Sequence, residues 1–298
     1  MIRTMEFDHF EPEVHTALGL TFSFVPDIYN TGAIPLKMHV VYPAKAPEGK
    51  GYPVLIWICG GGWECCEPEN RLTDMALFAK RGYIVCLAEY RISNTAPFPA
   101  QIIDVKTAIR FVRANAEKFR ADPDRIAVMG DSAGGHLVSL AGLTPDKPEF
   151  KGDQWSAVSD RVQAVVDWYG VVDLVAAAKA RGADRSAIPP TANLVKLLGG
   201  YPQDKMELAR EASPIEYVSP SAPPFLILHG DKDTLVPFAQ SQALYDKLTA
   251  AGVPCDLIIV KGAAHATVEF SQEKLLAAIA DWLDENMEAW QRPFSGVY

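Results

Sequence analysis

The chain has 298 residues, which allows one large α/β domain or two small ones. Its formal net charge of −9 disfavours nucleic acid as the main partner, because an acidic surface repels phosphate backbones. The N-terminus carries acids where a signal peptide needs an apolar core, and no apolar run approaches the roughly 18 residues of a membrane span. We therefore expect a cytoplasmic protein with no membrane segment.

Strand-like and helix-like segments alternate along the chain, which predicts a single α/β domain with a mostly parallel central sheet and helices on both faces. The predicted strands are 36–43, 53–59, 83–88, 126–129, 162–168, 225–229 and 256–260. Apolar residues at every third or fourth position predict helices over 100–119, 239–251 and 272–289.

The stretch 171–222 departs from this rhythm, because it is long and rich in glycine and proline. It lies between two predicted strands. We interpret it as an insertion over the strand ends, a small partial cap with short helices. A plain irregular crossover is the alternative.

Residues 130–134 read GDSAG, which matches GxSxG and lies between the strand 126–129 and the helix-forming run HLVSLAGL. A strand that turns into a helix within about two residues lifts the serine off the sheet, and small flanking residues avoid a clash. The new helix also directs free N–H groups and the positive end of its dipole at the serine. The pattern alone is weak, but this setting makes Ser132 the predicted nucleophile.

A serine hydroxyl needs a base to take its proton. His265 lies in GAAHA, a small-residue loop after the last predicted strand, and such loops face the ligand crevice of parallel sheets. His265 is the predicted base, with His229 as the alternative. The segment HGDKDTLVP offers two carboxylates to hold the imidazole in the correct tautomer. We favour Asp233, and expect Asp231 to brace the turn.

The oxyanion of a tetrahedral intermediate needs preorganised donors. Three consecutive glycines in the segment CGGGW, residues 59–63, let a backbone approach substrate closely. The predicted donors are the N–H groups of Gly61, Gly62 and Ala133. Trp63 lies within the CGGGW motif and Asp131 within the GDSAG motif, and both are predicted to bind substrate. Trp63 with Trp155, Trp168 and Tyr169 offers a sugar-stacking platform, or else pocket wall and core.

The five cysteines are odd in number and irregularly spaced, which indicates free thiols in a reducing cytosol. Cys65 and Cys66 are adjacent, but no second Cys/His pair stands at metal-ligand spacing. We therefore expect no metal and no cofactor.

The motifs CGGGW, GDSAGG, HGDKDTLVP and GAAHA, in this order, resemble the α/β-hydrolase serine esterases of the hormone-sensitive-lipase-like and acetyl esterase branch. The stretch EYRISNTAPFPAQIIDVKTAIRFVRANA looks most like bacterial feruloyl and acetyl-xylan esterases. The resemblance implies an α/β-hydrolase fold and the hydrolysis of short-chain esters, acetyl esters above all, through an acyl-enzyme. It implies a small-molecule ester as substrate, with acetylated plant-derived oligosaccharides as a natural target. One departure is Cys59, where the family usually has histidine.

Other functions share this machinery. A feruloyl esterase and an arylformamidase-type amidase fit the same motifs, whereas a prolyl-oligopeptidase-type peptidase normally brings a propeller domain for which the chain has no room. A non-catalytic, ligand-binding relative is the alternative of another class. Such relatives usually lose the serine or the histidine, and both are present here.

Overall fold

The computed structural model describes residues 3–5, 12–29, 31–47, 49, 51–180 and 192–289. Its strands are β1 (Val14–Pro26), β2 (Ala33–Pro43), β3 (Tyr52–Ile58), β4 (Ile84–Ala88), β5 (Ala121–Asp131), β6 (Ala164–Trp168), β7 (Phe225–Gly230) and β8 (Cys255–Val260). Its helices are α1 (Leu72–Lys80), α2 (Ala100–Ala114), α3 (Ala116–Phe119), α4 (Ala133–Leu143), α5 (Leu174–Ala180), α6 (Asn193–Leu198), α7 (Met206–Glu211), α8 (Ala239–Ala250) and α9 (Glu273–Ala289).

The strands form one eight-stranded sheet in the order β1-β2-β4-β3-β5-β6-β7-β8. The strands from β3 to β8 run parallel, and β2 is antiparallel to both of its neighbours, β1 and β4. The predicted, mostly parallel sheet is confirmed. Because the carboxyl ends of parallel strands meet at one edge, the loops after β3, β5, β7 and β8 lie close together.

Two apolar clusters cover the two faces of the sheet. In β3, Val54 and Ile56 belong to one cluster and Leu55 and Trp57 to the other, as the alternation of side chains along a strand requires. Buried residues of α2, α4 and α8 join the first cluster, and buried residues of α1 and α9 join the second. Both faces of the central strands are therefore covered, which explains their nearly continuous apolar sequences.

The structure differs from the predicted elements, as three examples show. Strand β1 was not predicted, because its first half is exposed at the sheet edge and shows no alternation of buried residues. Strand β5 begins at Ala121, several residues before the apolar core of the strand. The predicted helix 100–119 divides at Asn115 into α2 and α3.

The segment 171–222 contains α5, α6 and α7, so the expectation of short helices agrees with its described part. Residues 181–191 of this segment lie outside the described residues. Helix α6 is held against the body of the molecule, because the Leu197 carbonyl accepts a hydrogen bond from the Phe98 N–H at 2.8 Å. No helix in the described ranges combines the length and the hydropathy needed to cross a bilayer.

A buried ion cluster ties α2 to the loop before β6. The Asp160 carboxylate contacts Lys106 Nζ and Arg110 Nη1 at 2.9 Å each, and all three side chains are fully buried. Burial lowers the pKa of Lys106 and of Arg110, because it disfavours the charged form. The two cations on α2 therefore share the Asp160 carboxylate as a direct ion-pair partner, and the Asp146 charge also favours the charged form of both.

We expect Asp160→Asn to lower the free energy of unfolding by about 3 kcal/mol or more, because it removes the carboxylate that contacts both buried cations. Asp281→Asn is the control, since Asp281 pairs with Arg81 but its side chain is 62% exposed. That change should cost less than about 1 kcal/mol. Urea titration followed by circular dichroism measures both, and equal losses would contradict the role given to the buried cluster.

Candidate active site

Ser132 occupies a strained turn between β5, which ends at Asp131, and α4, which begins at Ala133. Its φ of 53° and ψ of −115° are rare for a residue other than glycine. Added Cβ atoms at Gly130 and Gly134 would lie 2.6 Å and 2.0 Å from the Ile58 carbonyl oxygen. Only glycine fits at both positions, and this close packing holds the turn in its strained shape.

The predicted triad side chains form one line of hydrogen bonds. His265 Nε2 lies 2.9 Å from Ser132 Oγ, and His265 Nδ1 lies 2.7 Å from Asp233 Oδ2. The buried Asp233 carboxylate also accepts the N–H groups of Leu235 and Val236 through Oδ1, at 2.8 and 2.9 Å. With Nδ1–H donated to Asp233, the bare Nε2 faces the serine hydroxyl, which is the arrangement a general base needs.

The alternative residues support the line of hydrogen bonds from the side, and His229 Nε2 lies 3.4 Å from Asp233 Oδ2. His229 is fully buried, with Nδ1 at 2.7 Å from Ser241 Oγ and Nε2 at 3.0 Å from the Val236 carbonyl. Burial lowers the pKa of His229. Asp231 Oδ1 accepts the Gly262 N–H at 2.7 Å, which joins the loops after β7 and β8. Both residues brace the loops that carry Asp233 and His265.

The loop after β3, residues 59–66, is called the glycine loop below. The Gly61 carbonyl accepts the N–H groups of Glu64 and Cys65 at 3.0 and 3.1 Å. Because C=O and N–H point in opposite directions across a trans peptide, the Gly62 N–H lies on the side away from that turn. Gly62 and Ala133 line a cavity together with Ser132, whereas Gly61 is not one of its lining residues.

Asp131 lies behind the glycine loop, which corrects the prediction that it contacts substrate. Its carboxylate accepts the Gly60 N–H at 2.6 Å and faces the Tyr169 hydroxyl at 3.4 Å. Burial raises its pKa. It is not among the residues that line the cavity. The side chain therefore anchors the first peptide of the glycine loop to the end of β5.

The aromatic residues do not assemble into a stacking platform. Trp168 and Tyr169 are fully buried in the core, and Trp155 lies in a different surface groove beside Phe24 and Phe111. Trp63 lines the cavity but is itself only 5% exposed. Trp168 and Tyr169 are therefore core and Trp63 is cavity wall, as the favoured interpretation has it, and the alternative of a four-residue stacking platform is not formed.

His136 links the glycine loop to the segment 171–222. The sequence did not predict this role of His136. Burial lowers its pKa to about 4, so the ring is neutral near pH 7. Trp63 Nε1–H donates to Nδ1 at 3.1 Å, which leaves Nε2–H to donate to the Ala212 carbonyl at 2.7 Å. The spacing of His136 on α4 gave no signal of this role, because both partners are distant in sequence.

The cavity beside Ser132 has a volume of about 510 Å³. Its far walls come from α5, the start of α6, the loop after Asp233 and the start of α8. Most of the side chains on these walls are small and apolar, including Ala176, Ala177 and Ala180. The cavity can thus hold an apolar group attached to the atom that Ser132 attacks.

Asn193, at the start of α6, reaches across this cavity to the glycine loop. Its Nδ2–H donates to the Gly62 carbonyl at 3.1 Å. One turn later, Lys196 forms an ion pair with Glu64. Because the Gly62 carbonyl is held on one side, the Trp63 N–H of the same peptide points the other way. Helix α6 therefore helps to set the orientation of the peptides beside Ser132.

A mostly parallel sheet, a serine on a strand-to-helix turn and a Ser–His–Asp line of hydrogen bonds are together features of the α/β-hydrolase fold. A family model described as BD-FAE matches residues 38–248, which is more than half of the chain. The chain belongs to the BD-FAE family. This confirms the resemblance to the α/β-hydrolase esterases that was drawn from the four motifs.

Curated relatives are named as esterases. Esterase LipC of Mycobacterium tuberculosis is 35% identical over 225 residues, which cover 74% of this chain and 54% of that protein. Esterase LipQ of the same organism is 38% identical over 70% of this chain and 48% of its own length. The chain thus spans about half the length of the curated relatives it matches.

A solved structure agrees with the fold along nearly the whole chain. A truncated carbohydrate esterase from gut microbiota has a TM-score of 0.78 and 26% identity, over 93% of this chain and 98% of that one. The likeness therefore supports the same overall fold for the two chains.

We expect Asp233→Asn to lower kcat by about 10³-fold or more, because the amide no longer fixes the Nδ1–H tautomer of His265. Asp231→Asn is the matched control from the same motif. Its side chain does not contact His265, so its activity should stay within about twofold of wild type. Steady-state hydrolysis of p-nitrophenyl acetate measures both, and a larger loss in Asp231→Asn would reverse the assignment of the acid.

We expect Asn193→Ala to lower kcat by about threefold to tenfold with little change in KM, since one neutral hydrogen bond that orients the glycine loop is lost. Asn286→Ala is the control, because its amide donates to the Trp282 carbonyl on α9, away from the site. The same ester assay applies. A rise in KM with unchanged kcat would mean that Asn193 binds substrate and does not orient the loop.

Proposed function

We propose that this chain is a serine carboxylesterase that hydrolyses short-chain esters through an acyl-enzyme. The observation that carries the proposal is the hydrogen-bonded line from Asp233 through His265 to Ser132, which ends in an apolar cavity. The same side chains occur in esterases, amidases and peptidases, but the named relatives are esterases.

In the proposed reaction, His265 Nε2 takes the proton of Ser132 as Oγ attacks the ester carbonyl carbon. The oxyanion that forms accepts hydrogen bonds from the backbone N–H groups of Ala133 and Gly62. The backbone N–H of Trp63 is a further donor. The imidazolium, stabilised by Asp233, then protonates the leaving alcohol. Water attacks the acyl-enzyme with His265 again as the base, and the acid is released.

Short acyl groups, acetyl first, are the proposed substrates, with acetylated oligosaccharides as the proposed natural source. The likeness to a carbohydrate esterase from gut microbiota supports the sugar part. Thermogutta terrifontis esterase 2, 25% identical and described with bound propionate, supports a short acyl group. The small alanines on the cavity wall are compatible with a short apolar acyl chain.

A feruloyl esterase is the second candidate. The cavity volume of about 510 Å³ exceeds what an acetyl group fills, and its walls are mostly apolar. An aromatic acyl group is therefore a physical alternative for the same machinery. Relative kcat/KM values for acetyl and feruloyl esters of one alcohol separate the two candidates.

Ser132→Ala should lower p-nitrophenyl acetate hydrolysis by at least about 10⁴-fold, because it removes the nucleophile. Ser219→Ala, a substitution in an exposed Ser219–Ser221 pair, is the control and should retain activity. Wild type is assayed beside both variants on acetate, butyrate and octanoate, with the highest kcat/KM expected for acetate. Equal inactivity of wild type and Ser132→Ala would contradict the short-acyl esterase and favour a non-catalytic, ligand-binding protein or a non-ester substrate.

A further inference from the structure

Two thiols meet where the glycine loop begins and ends. Cys59 follows β3, Cys66 closes the loop, and their Sγ atoms are 3.3 Å apart. Both cysteines are free. A disulfide needs a sulfur–sulfur distance of about 2.05 Å, so the two atoms have to approach by little more than an ångström. The loop already holds the two sulfurs in contact across its base.

The surroundings give the two thiols different reactivity. Cys59 is only 6% exposed, and the hydrogen bond with Cys66, together with burial, raises its pKa well above the ordinary value. Cys59 therefore remains a thiol. Cys66 is half-buried, so a small oxidant reaches its sulfur from solvent. In this arrangement Cys66 is the thiol that the oxidant reaches first, and Cys59 is placed to form a disulfide with the oxidised Cys66.

The Cys59 end of the loop is held by hydrogen bonds to its backbone, so we expect the approach of the two sulfurs to displace Cys66. The Cys59 carbonyl accepts the Tyr90 hydroxyl at 3.1 Å, and the next N–H, of Gly60, is bound by Asp131. Next to Cys66, the Cys65 N–H donates to the Gly61 carbonyl. A displacement of Cys66 is therefore passed through this hydrogen bond to the peptide that carries the Gly62 N–H.

We propose that Cys59 and Cys66 form a reversible oxidative modification site whose disulfide shifts the glycine loop. Its consequence for turnover rests on the proposed esterase function. The oxidant is a hydroperoxide, ROOH. Cys66 sulfur attacks the terminal peroxide oxygen, the O–O bond breaks, and ROH leaves as Cys66 becomes a sulfenic acid. Cys59 sulfur then attacks that sulfur, the S–O bond breaks, and water leaves with the Cys59 thiol proton. Sulfur loses two electrons in total, which reduce the peroxide.

The experiment uses the full chain carrying Cys65→Ser, which removes the exposed neighbouring thiol, and compares it with Cys65→Ser/Cys66→Ser. Both are treated with hydrogen peroxide and then with dithiothreitol. Peptide mapping by mass spectrometry detects the Cys59–Cys66 cross-link, hydrogen exchange reports on residues 60–66, and ester hydrolysis reports turnover. We expect the cross-link, altered exchange in the loop and about a tenfold, dithiothreitol-reversible fall in kcat in the first protein only.

Failure to find the cross-link while other thiols oxidise would overturn the site. A cross-link that leaves hydrogen exchange and kcat unchanged would overturn its effect on the loop. An equal loss of activity in the Cys66→Ser protein would assign the loss to damage elsewhere, and would also overturn the proposal. Mapping and hydrogen exchange need no substrate, so a chain that hydrolyses no ester would refute the esterase and leave this test intact.

Discussion

The close packing of α4 against the end of β3 is the constraint on which the site depends. Gly134 lies so near the Ile58 carbonyl that a side chain there would overlap it, which forces the turn at Ser132 into its strained conformation. Ile58 is also the last residue before the glycine loop. One contact therefore sets the height of the serine and brings the loop beside it. Neither element has to be placed independently, since the parallel pairing of β3 and β5 fixes both.

Buried polar side chains extend this control outward. Asp131 binds the first peptide of the glycine loop, and His136 connects Trp63 to the Ala212 carbonyl in the segment 171–222. Asn193 reaches back from α6 to the Gly62 carbonyl. The glycine loop is thus held by Asp131, His136 and Asn193, three side chains outside the triad. Such preorganisation keeps backbone donors in place without reorganisation during the reaction.

The position of Cys59 gives this loop a distinct chemistry. The resemblance drawn from the sequence implies histidine at this position, and a thiol forms weaker hydrogen bonds than an imidazole does. Here Tyr90 binds the Cys59 carbonyl, Asp131 binds the next N–H, and the sulfur contacts Cys66. The loop is therefore held mainly through its backbone and less through the side chain at position 59.

The sequence by itself determined the parallel sheet, most strand positions and the motif residues Ser132, Asp233 and His265 as candidates. These follow from apolar periodicity and from short motifs, which depend on neighbours in sequence. The sequence already favoured Asp233 over Asp231, and the structure places the Asp233 carboxylate against His265. Only the tertiary structure moved Asp131 behind the loop, buried Trp168 and Tyr169, and joined Cys59 to Cys66. These outcomes depend on which distant residues meet when strands pair, and no local pattern encodes such contacts.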